Sequence, residues 1–523
     1  MADVSELNNN RTMAKWGFAS QGNRWMLFAP AVVSGAVLLG VLPLVHFSLQ
    51  RGGTFGYDVY IFRVLMFTLS QAGLSTLLSV GMAIPVARAM VRQQFYGQNF
   101  LRIVFAVPIV LPVIVALLGI TALYGNNGLW GGHIPLYGFW GIVFAHVFFN
   151  LPLSVRLLSD RLEATTPEQH RLAAQLNFDD RAVWRLVDWP TLRPTLTRVA
   201  ALVFMLCAAS FVIVLTLGGA SATTLEVAIY HSLRLDFDVS RALSLSSLQI
   251  ILSGILVWLA GRFLWQAPLL GQLQTQNRRF DGNSLLAKSV DAAALTIATL
   301  IVLPPLIAVA LAGVLHVNFT TQLLYALLSS FALGAAAALL AVVVAWPLAQ
   351  LQAAGGKLGK FALLCGIAGF MVPPAVMATG WFLAFRFLDG GVGLAATLIV
   401  CLNALLALPF MLTGLAPAAA RSNLLHDKLC ASLGIVGWAR LALIDLPSMK
   451  PVLFQALLMG FVLSLGDLSA VTLLGSHGLV TMPGLIAQQM GNYRSADAGG
   501  SALMLAAICL ALTALAHRLG KQG

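Results

Sequence analysis

The sequence predicts an all-α polytopic membrane fold of about 12 transmembrane helices in two tandem six-helix repeats. Three observations carry that reading. The 523 residues are 59% hydrophobic and 10% charged, with a mean hydropathy of +0.87, whereas a soluble domain is roughly 25% charged. Apolar runs of about 20 residues, the length that crosses a bilayer, recur along the chain. A polar stretch bounded by prolines, Thr165 to Pro194, returns as Ser422 to Pro451: Leu176/Leu433, Asp188/Asp445, Pro190/Pro447, Arg193/Lys450 and Pro194/Pro451 all lie 257 residues apart. Two copies at one offset mark an internal duplication.

Residues 1–24 are polar and basic and form a cytoplasmic N-terminal segment. The apolar run 25–49 is longer than a signal-peptide core and lacks a clear small-residue cleavage site, so it reads as an uncleaved first span. Further spans are expected at 62–88, 101–124, 136–157, 198–217 and 244–266, then at 289–316, 322–350, 361–387, 392–416, 452–474 and 500–517. The first repeat is therefore 25–266 and the second 289–523. Between them lies a hydrophilic cytoplasmic linker, 267–288, whose Arg278-Arg279 pair holds it inside. Pro152/Pro409, Gly218/Gly475, Thr224/Thr481 and Ile229/Ile486 keep the 257 offset, while Pro85/Pro347 and Thr68/Ser330 match at 262. Six spans per half give parallel repeats, related by an axis along the membrane normal. The mildly apolar pieces Thr224–Leu233 and Val480–Met490 are too short to span and read as short helices at the outer face.

Charge sets the orientation. With the N-terminus inside, 25 of the 31 Lys and Arg residues fall in inner segments and 6 in outer ones, which places both termini in the cytoplasm. The same asymmetry accounts for the net charge of +12 without nucleic acid as a partner; the lipid bilayer is the partner it implies. Cys207, Cys365, Cys401 and Cys509 lie in apolar spans and Cys430 in a cytoplasmic loop. None has metal-ligand spacing, so packing is their role and no disulfide is expected. The nine histidines are scattered, no H-E-x-x-H occurs, and no paired-carboxylate or Ser/His/Asp set is apparent, so a membrane enzyme is disfavoured. No phosphate-binding G-x-x-x-x-G-K-[ST] occurs either; Gly355 to Lys360 lacks its spacing and its hydroxyl. The chain cannot cradle ATP phosphates by itself, and no cofactor is implied.

The duplicated stretch reads as a rigid elbow. Thr165 and Glu168 fit a capping box, with Pro167 early in the first turn. A helix of about ten residues follows, with Leu172, Ala173 and Leu176 on one face. It should end at Asn177, or at Gly434 in the second copy, because Gly and Asn best tolerate the left-handed C-terminal cap. A helix restarts at Asp179-Asp180, or near Val436, and Pro190 and Pro447 terminate or kink it.

This stretch resembles the coupling loop of ABC importer permeases: E-A-A, three residues, G, nine residues, then I-x-L-P. The second copy has Gly434, nine residues, then Ile444-x-Leu446-Pro447; the first has Asn177, nine residues, then Val187-x-Trp189-Pro190. Arg171 and Lys428 stand where the family has Glu. The resemblance implies a type I ABC importer permease fold and a separate ABC ATPase subunit in two copies. It also implies that the ATPase is met by Arg171, Leu172, Ala173, Ala174, Gln175, Leu176, Asn177 and Pro190, and by Lys428, Leu429, Cys430, Ala431, Leu433, Gly434 and Pro447. The stretches 146–152, 171–176, 204–211, 224–230 and 491–498 are similar to the fused permeases of bacterial thiamine and thiamine pyrophosphate importers. Fused ferric-iron permeases share the elbows but less of these stretches. A thiamine-type cargo, delivered by a periplasmic binding protein, is what the resemblance implies. A ferric-iron permease and an ion-coupled secondary transporter are the rival readings, the latter gaining nothing from two matched elbows.

An ionisable residue inside a span is costly and marks a functional candidate. Asp467 is the clearest, with Ser210 at its place in the first half; with Glu226 at the outer rim it offers a counter-charge to a thiazolium. Tyr230, with Phe204, Phe211 and Trp381, offers aromatic stacking. His146, Asn150 and Asn403 read as interhelical hydrogen-bonding groups.

Overall fold

The computed structural model describes residues 23–50, 58–126, 128–131, 136–164, 167–219, 222–236, 238–264, 281–282, 284–385, 387–388, 391–476 and 478–520. The expected N-terminal segment (but for its last two residues), most of the 267–288 linker with Arg278-Arg279, and Thr165 lie outside them.

The described chain is helical and contains no strand. Its first part runs α1 (Phe28–Gln50), α2 (Val59–Arg92), α3 (Gln98–Val110), α4 (Val113–Tyr124) and α5 (Phe139–Glu163). The first elbow supplies α6 (Pro167–Gln175) and α7 (Asp180–Val183). Then come α8 (Trp189–Ala208), α9 (Val212–Leu217), α10 (Leu225–Arg234) and α11 (Val239–Leu264). The second part runs α12 (Leu285–Val314), α13 (Thr321–Ala354), α14 (Gly356–Gly366), α15 (Ala368–Met371), α16 (Pro374–Phe385) and α17 (Gly391–Leu433). It continues with α18 (Gly437–Arg440), α19 (Leu446–Gly466), α20 (Ser469–Leu474), α21 (Met482–Gly491) and α22 (Ser495–Gly520).

Ten of the described helices are long and apolar enough to cross a membrane, and a bent pair brings this to 11. The difference from twelve straight spans has a local cause. The expected span 101–124 is α3 and α4, bent by 112°. The break falls at Leu111, held extended (φ −70°, ψ 132°) ahead of Pro112; a following proline disfavours the helical basin. The expected span 361–387 is broken in the same way, with Val372 extended (φ −114°, ψ 109°) ahead of Pro373. Pro112 and Pro373 are 261 residues apart. The expected spans 198–217 and 452–474 are also broken, between α8 and α9 at Ser210 and between α19 and α20 at Asp467. Both short segments expected beside the spans are helices, α10 and α21. In the second half the elbow helix is not separate: α17 runs 43 residues without interruption into it.

The chain folds into two compact units that interleave along the sequence. One comprises Met1–Gln50, Leu327–Leu479 and Ala511–Gly523; the other comprises Arg51–Ala326 and Val480–Leu510. The first helix of each half is thus built into the unit formed mainly by the other half. In the first unit α1 packs on α16. A Cβ on Gly380 would run into the Gly40 carbonyl, and the Trp381 indole N–H donates to the Ala36 carbonyl at 3.1 Å. In the second unit α12 packs on α4, and a Cβ on Gly119 would run into the Pro305 carbonyl. Gly119 and Gly380 are themselves 261 residues apart, each seven residues past its breaking proline. Absence of a side chain lets helix backbones touch, as small residues do between membrane helices generally.

Candidate functional site

Both elbows break where the capping argument places the break. Asn177 has φ +52° and Gly434 φ +64°. In the first elbow the Asn177 N–H donates to the Ala174 carbonyl (3.1 Å) and the Phe178 N–H to the Ala173 carbonyl (3.0 Å). In the second the Gly434 N–H donates to Ala431 (3.4 Å) and the Ile435 N–H to Cys430 (2.9 Å). This is the paired 5→2 and 6→1 pattern of a Schellman cap, which satisfies the last carbonyls of a helix through one left-handed residue. Asp179 restarts the first elbow by accepting from the Ala182 N–H at 2.8 Å.

Of the two outcomes expected at the prolines, termination does not occur. Trp184–Asp188 and Leu441–Asp445 are π-helical turns, closed by the Trp189 N–H on the Trp184 carbonyl and the Leu446 N–H on the Leu441 carbonyl. Each helix then continues through Pro190 or Pro447. A proline inside an α-helix removes one hydrogen bond and crowds the carbonyl four residues back. Shifting the bonding to five residues just ahead of it lets the chain pass without ending. Such π-turns gather at functional sites.

The elbows present matching surfaces. Leu172, Leu176, Leu429 and Leu433 are each more than half exposed, while Ala173 and Cys430 are buried beneath them. Arg171, Ala174, Gln175, Asn177 and Pro190 are exposed, as are Lys428, Ala431, Gly434 and Pro447. The surface extends beyond the contact residues that the resemblance implies: Leu186 and Leu443 are more than half exposed, and Trp189 and Leu446 are exposed beside them. These pairs keep the 257 offset, and that periodicity is the signal that finds them.

The candidates inside the spans are divided between the two units. Asp467 belongs to the first compact unit, and Ser210, Glu226 and Tyr230 to the second. Asp467 sits in the break after α19, where its carboxylate accepts from the Ser469 N–H (3.1 Å) and the Ala470 N–H (2.9 Å). It caps the start of α20. Each N–H is taken by a different carboxylate oxygen, so Asp467→Asn, which keeps one acceptor, is expected to lose less thermal stability in detergent than Asp467→Ala, which should lose about 1 kcal/mol. An equal loss in both variants would mean that the charge, not the cap, stabilises the break.

Ser210 occupies the corresponding break, and the next residue, Phe211, meets the Tyr230 ring edge-on at 5.4 Å. Glu226 is fully buried one turn before Tyr230, in the first turn of α10, where the helix dipole favours a carboxylate. Trp381 is buried and bonded to α1, and so is committed to packing. The interior polar groups do bridge helices. Asn403 donates to the Ser464 hydroxyl at 2.8 Å. Ser75 meets His146 Nδ1 at 3.4 Å, and Asn150 donates to Cys207 Sγ at 3.4 Å.

Among known proteins, residues 341–521 match the family described as the binding-protein-dependent transport system inner membrane component. The chain is 39% identical to the thiamine transport system permease protein ThiP of Brucella melitensis biotype 1, over 96% of this chain and 98% of that one. It is 39% identical to the protein of the same name from Escherichia coli K12, over 88% of this chain and 90% of that one. A putative ferric transport system permease protein, FbpB 1 of Haemophilus influenzae, is 24% identical over 79% of this chain and 70% of its own length.

Proposed function

Since the chain belongs to the family of binding-protein-dependent inner-membrane transport permeases that includes the thiamine transport permeases, we propose that it carries thiamine and its phosphate esters into the cytoplasm. It does so as the permease subunit of an ABC importer. The observation that carries the reading is the pair of elbows, each broken by a left-handed residue and each offering exposed leucines at the same repeat positions.

Each elbow is a handle for one copy of a separate ATPase, held by Arg171, Leu172, Ala174, Gln175, Leu176, Asn177 and Pro190 in one half and by Lys428, Leu429, Ala431, Leu433, Gly434 and Pro447 in the other. The elbows and both termini lie in the cytoplasm. ATP closes the ATPase pair and carries the handles together; the repeats 25–266 and 289–523 then rock to open the pathway outward, and hydrolysis resets it. A periplasmic binding protein delivers cargo. Asp467, Ser210, Glu226 and Tyr230 are the side chains proposed along the pathway. The thiamine cargo rests on relatives whose identity and coverage exceed those of the ferric permease; that permease keeps iron as the second reading.

The test is reconstitution of the chain with its ATPase, followed by ATP hydrolysis measured with a thiamine-loaded and an iron-loaded binding protein. Stimulation by the thiamine-loaded protein alone is expected. Stimulation by the iron-loaded protein alone would replace the cargo, and uptake driven by a proton gradient without ATP would replace the mechanism.

A further inference from the structure

The π-turn of each elbow ends on a buried aspartate, Asp188 or Asp445, and the cation that neutralises it comes from a different place in each half. In the first half the cation is on a long membrane helix. Arg88 of α2 donates through Nε to Asp188 Oδ2 at 2.9 Å and through Nη2 to the Asp180 carbonyl at 3.3 Å. Its guanidinium lies over the Trp184 ring at 5.2 Å, at the start of the π-turn. The same Nη2 reaches Asp281 at 3.4 Å. One helical turn on, Arg92 forks onto Asp291 of α12 (2.9 and 2.7 Å) and faces Asp180 at 3.9 Å. Elbow, α2 and the start of α12 are therefore joined through two arginines.

In the second half the repeat position of Arg88 is Gln350, and that of Val183 is Arg440. The cation has moved from the membrane helix into the elbow. Arg440 faces Asp445 at 3.5 Å and Asp427 at 2.7 Å, and donates to Asn423 Oδ1 at 2.7 Å. Asn423 in turn donates to Gln350 Oε1 at 3.3 Å. The same connection, elbow to long membrane helix, is made by neutral amides in place of an ion pair.

We infer that Arg88 and Asp188 are positioning residues that lock the first elbow to α2, and that Arg440, Asp445, Asn423 and Gln350 are the relocated form of the same lock in the second. The lock makes elbow and helix move as one body. An elbow cut from it would still meet a partner but would not pass the displacement on. A buried charge stripped of its partner is the costly state, so single and paired neutralisations must differ. The role in transport rests on the permease reading above; the lock itself does not.

The experiment has two arms. Hydrogen exchange over 167–190 is measured on the full chain in nanodiscs, without ATPase. Arg88→Gln should raise it on the order of tenfold. Val183→Arg in that background, which copies the second-half arrangement, should restore most of the protection, as should Arg88→Gln with Asp188→Asn. Unchanged exchange in Arg88→Gln, or protection that neither second substitution restores, overturns the lock. The second arm measures substrate moved per ATP hydrolysed in the reconstituted complex. Arg88→Gln should lower that ratio on the order of tenfold while the ATPase still copurifies, and the same second substitutions should recover it. A ratio that stays at the wild-type value overturns the positioning role even where exchange has changed. A wild-type complex that does not couple ATP to uptake overturns the permease reading and leaves the exchange result standing.

Discussion

Gly380→Leu is expected to prevent the chain from accumulating as a folded, monodisperse species in detergent. The residue faces backbone, not side chain. A Cβ at Gly380 would collide with the Gly40 carbonyl and crowd the Gly40 Cα at 2.8 Å. A side chain can rotate away from an intruding methyl; a helix backbone can yield only by moving the helix. Overpacking of an ordinary core costs about 1–3 kcal/mol. Here α1 must withdraw from α16, which also breaks the Trp381–Ala36 hydrogen bond, so the loss should lie at the top of that range or above it. Gly414 is the control. A Cβ there would meet only Val452 Cγ1, at 3.8 Å, and Gly→Ala inside a helix is favourable by up to about 1 kcal/mol. Gly414→Ala should therefore match or exceed the wild-type unfolding temperature. If Gly380→Leu unfolds at the same temperature as Gly414→Ala, the two helices are not in backbone contact. Gly119→Leu is expected to act in the same way through Pro305 in the other compact unit.

That seat shows what the sequence could and could not express. Membrane character and the duplication were legible because both are statements about composition and spacing. The breaks at Pro112 and Pro373 were only half legible. The prolines were visible, but a hydropathy window counts apolar residues and does not register a 112° bend. The breaks at Ser210 and Asp467 were hidden for the same reason. Asp467 stood out as a charge in a span, and its local work as a cap emerged only with the backbone N–H groups in place. The interleaving of the two units was not legible. A repeat aligns positions with one another; it does not say that α1 joins the second-half helices and α12 the first-half ones.

The elbows were the most legible feature, because a left-handed cap is a local demand with few residues able to meet it. Asn177 and Gly434 were both identifiable on that ground. Asp188 and Asp445 were recognisable as equivalents but not as buried ion-pair members. The partner of Asp188 lies 100 residues away in sequence and that of Asp445 only five, so no common spacing betrays them.

Gly434→Val is expected to lower transport on the order of tenfold while leaving thermal stability close to wild type, and Gly434→Asn to retain transport. Only the backbone is perturbed by this exchange. A Cβ at Gly434 meets nothing within 4 Å, so neither packing nor a clash with a neighbour enters. What remains is φ +64°, a region that costs an L-residue roughly 1–2 kcal/mol and is a true outlier for a β-branched one. Every 1.4 kcal/mol is a factor of about ten in an equilibrium, so a valine here moves the elbow largely out of the capped geometry. The carbonyls of Cys430 and Ala431 then lose the N–H groups of Ile435 and Gly434, and Leu429 and Leu433 lose their fixed relation to α18. Of the residues affected only Cys430 is buried, so little core is lost and global unfolding barely shifts. Asparagine tolerates the left-handed region through its short polar side chain, and the first elbow already uses one at the matching place, Asn177, at φ +52°. The converse exchange, Asn177→Gly, should therefore be silent, and Asn177→Val should repeat the Gly434→Val loss in the first elbow. Uptake per unit of membrane-inserted protein, measured beside unfolding temperature, separates the cases. Loss of uptake with unchanged unfolding locates the fault in the handle. Equal uptake for Val and Asn at residue 434 would mean that the left-handed break does not matter to transport.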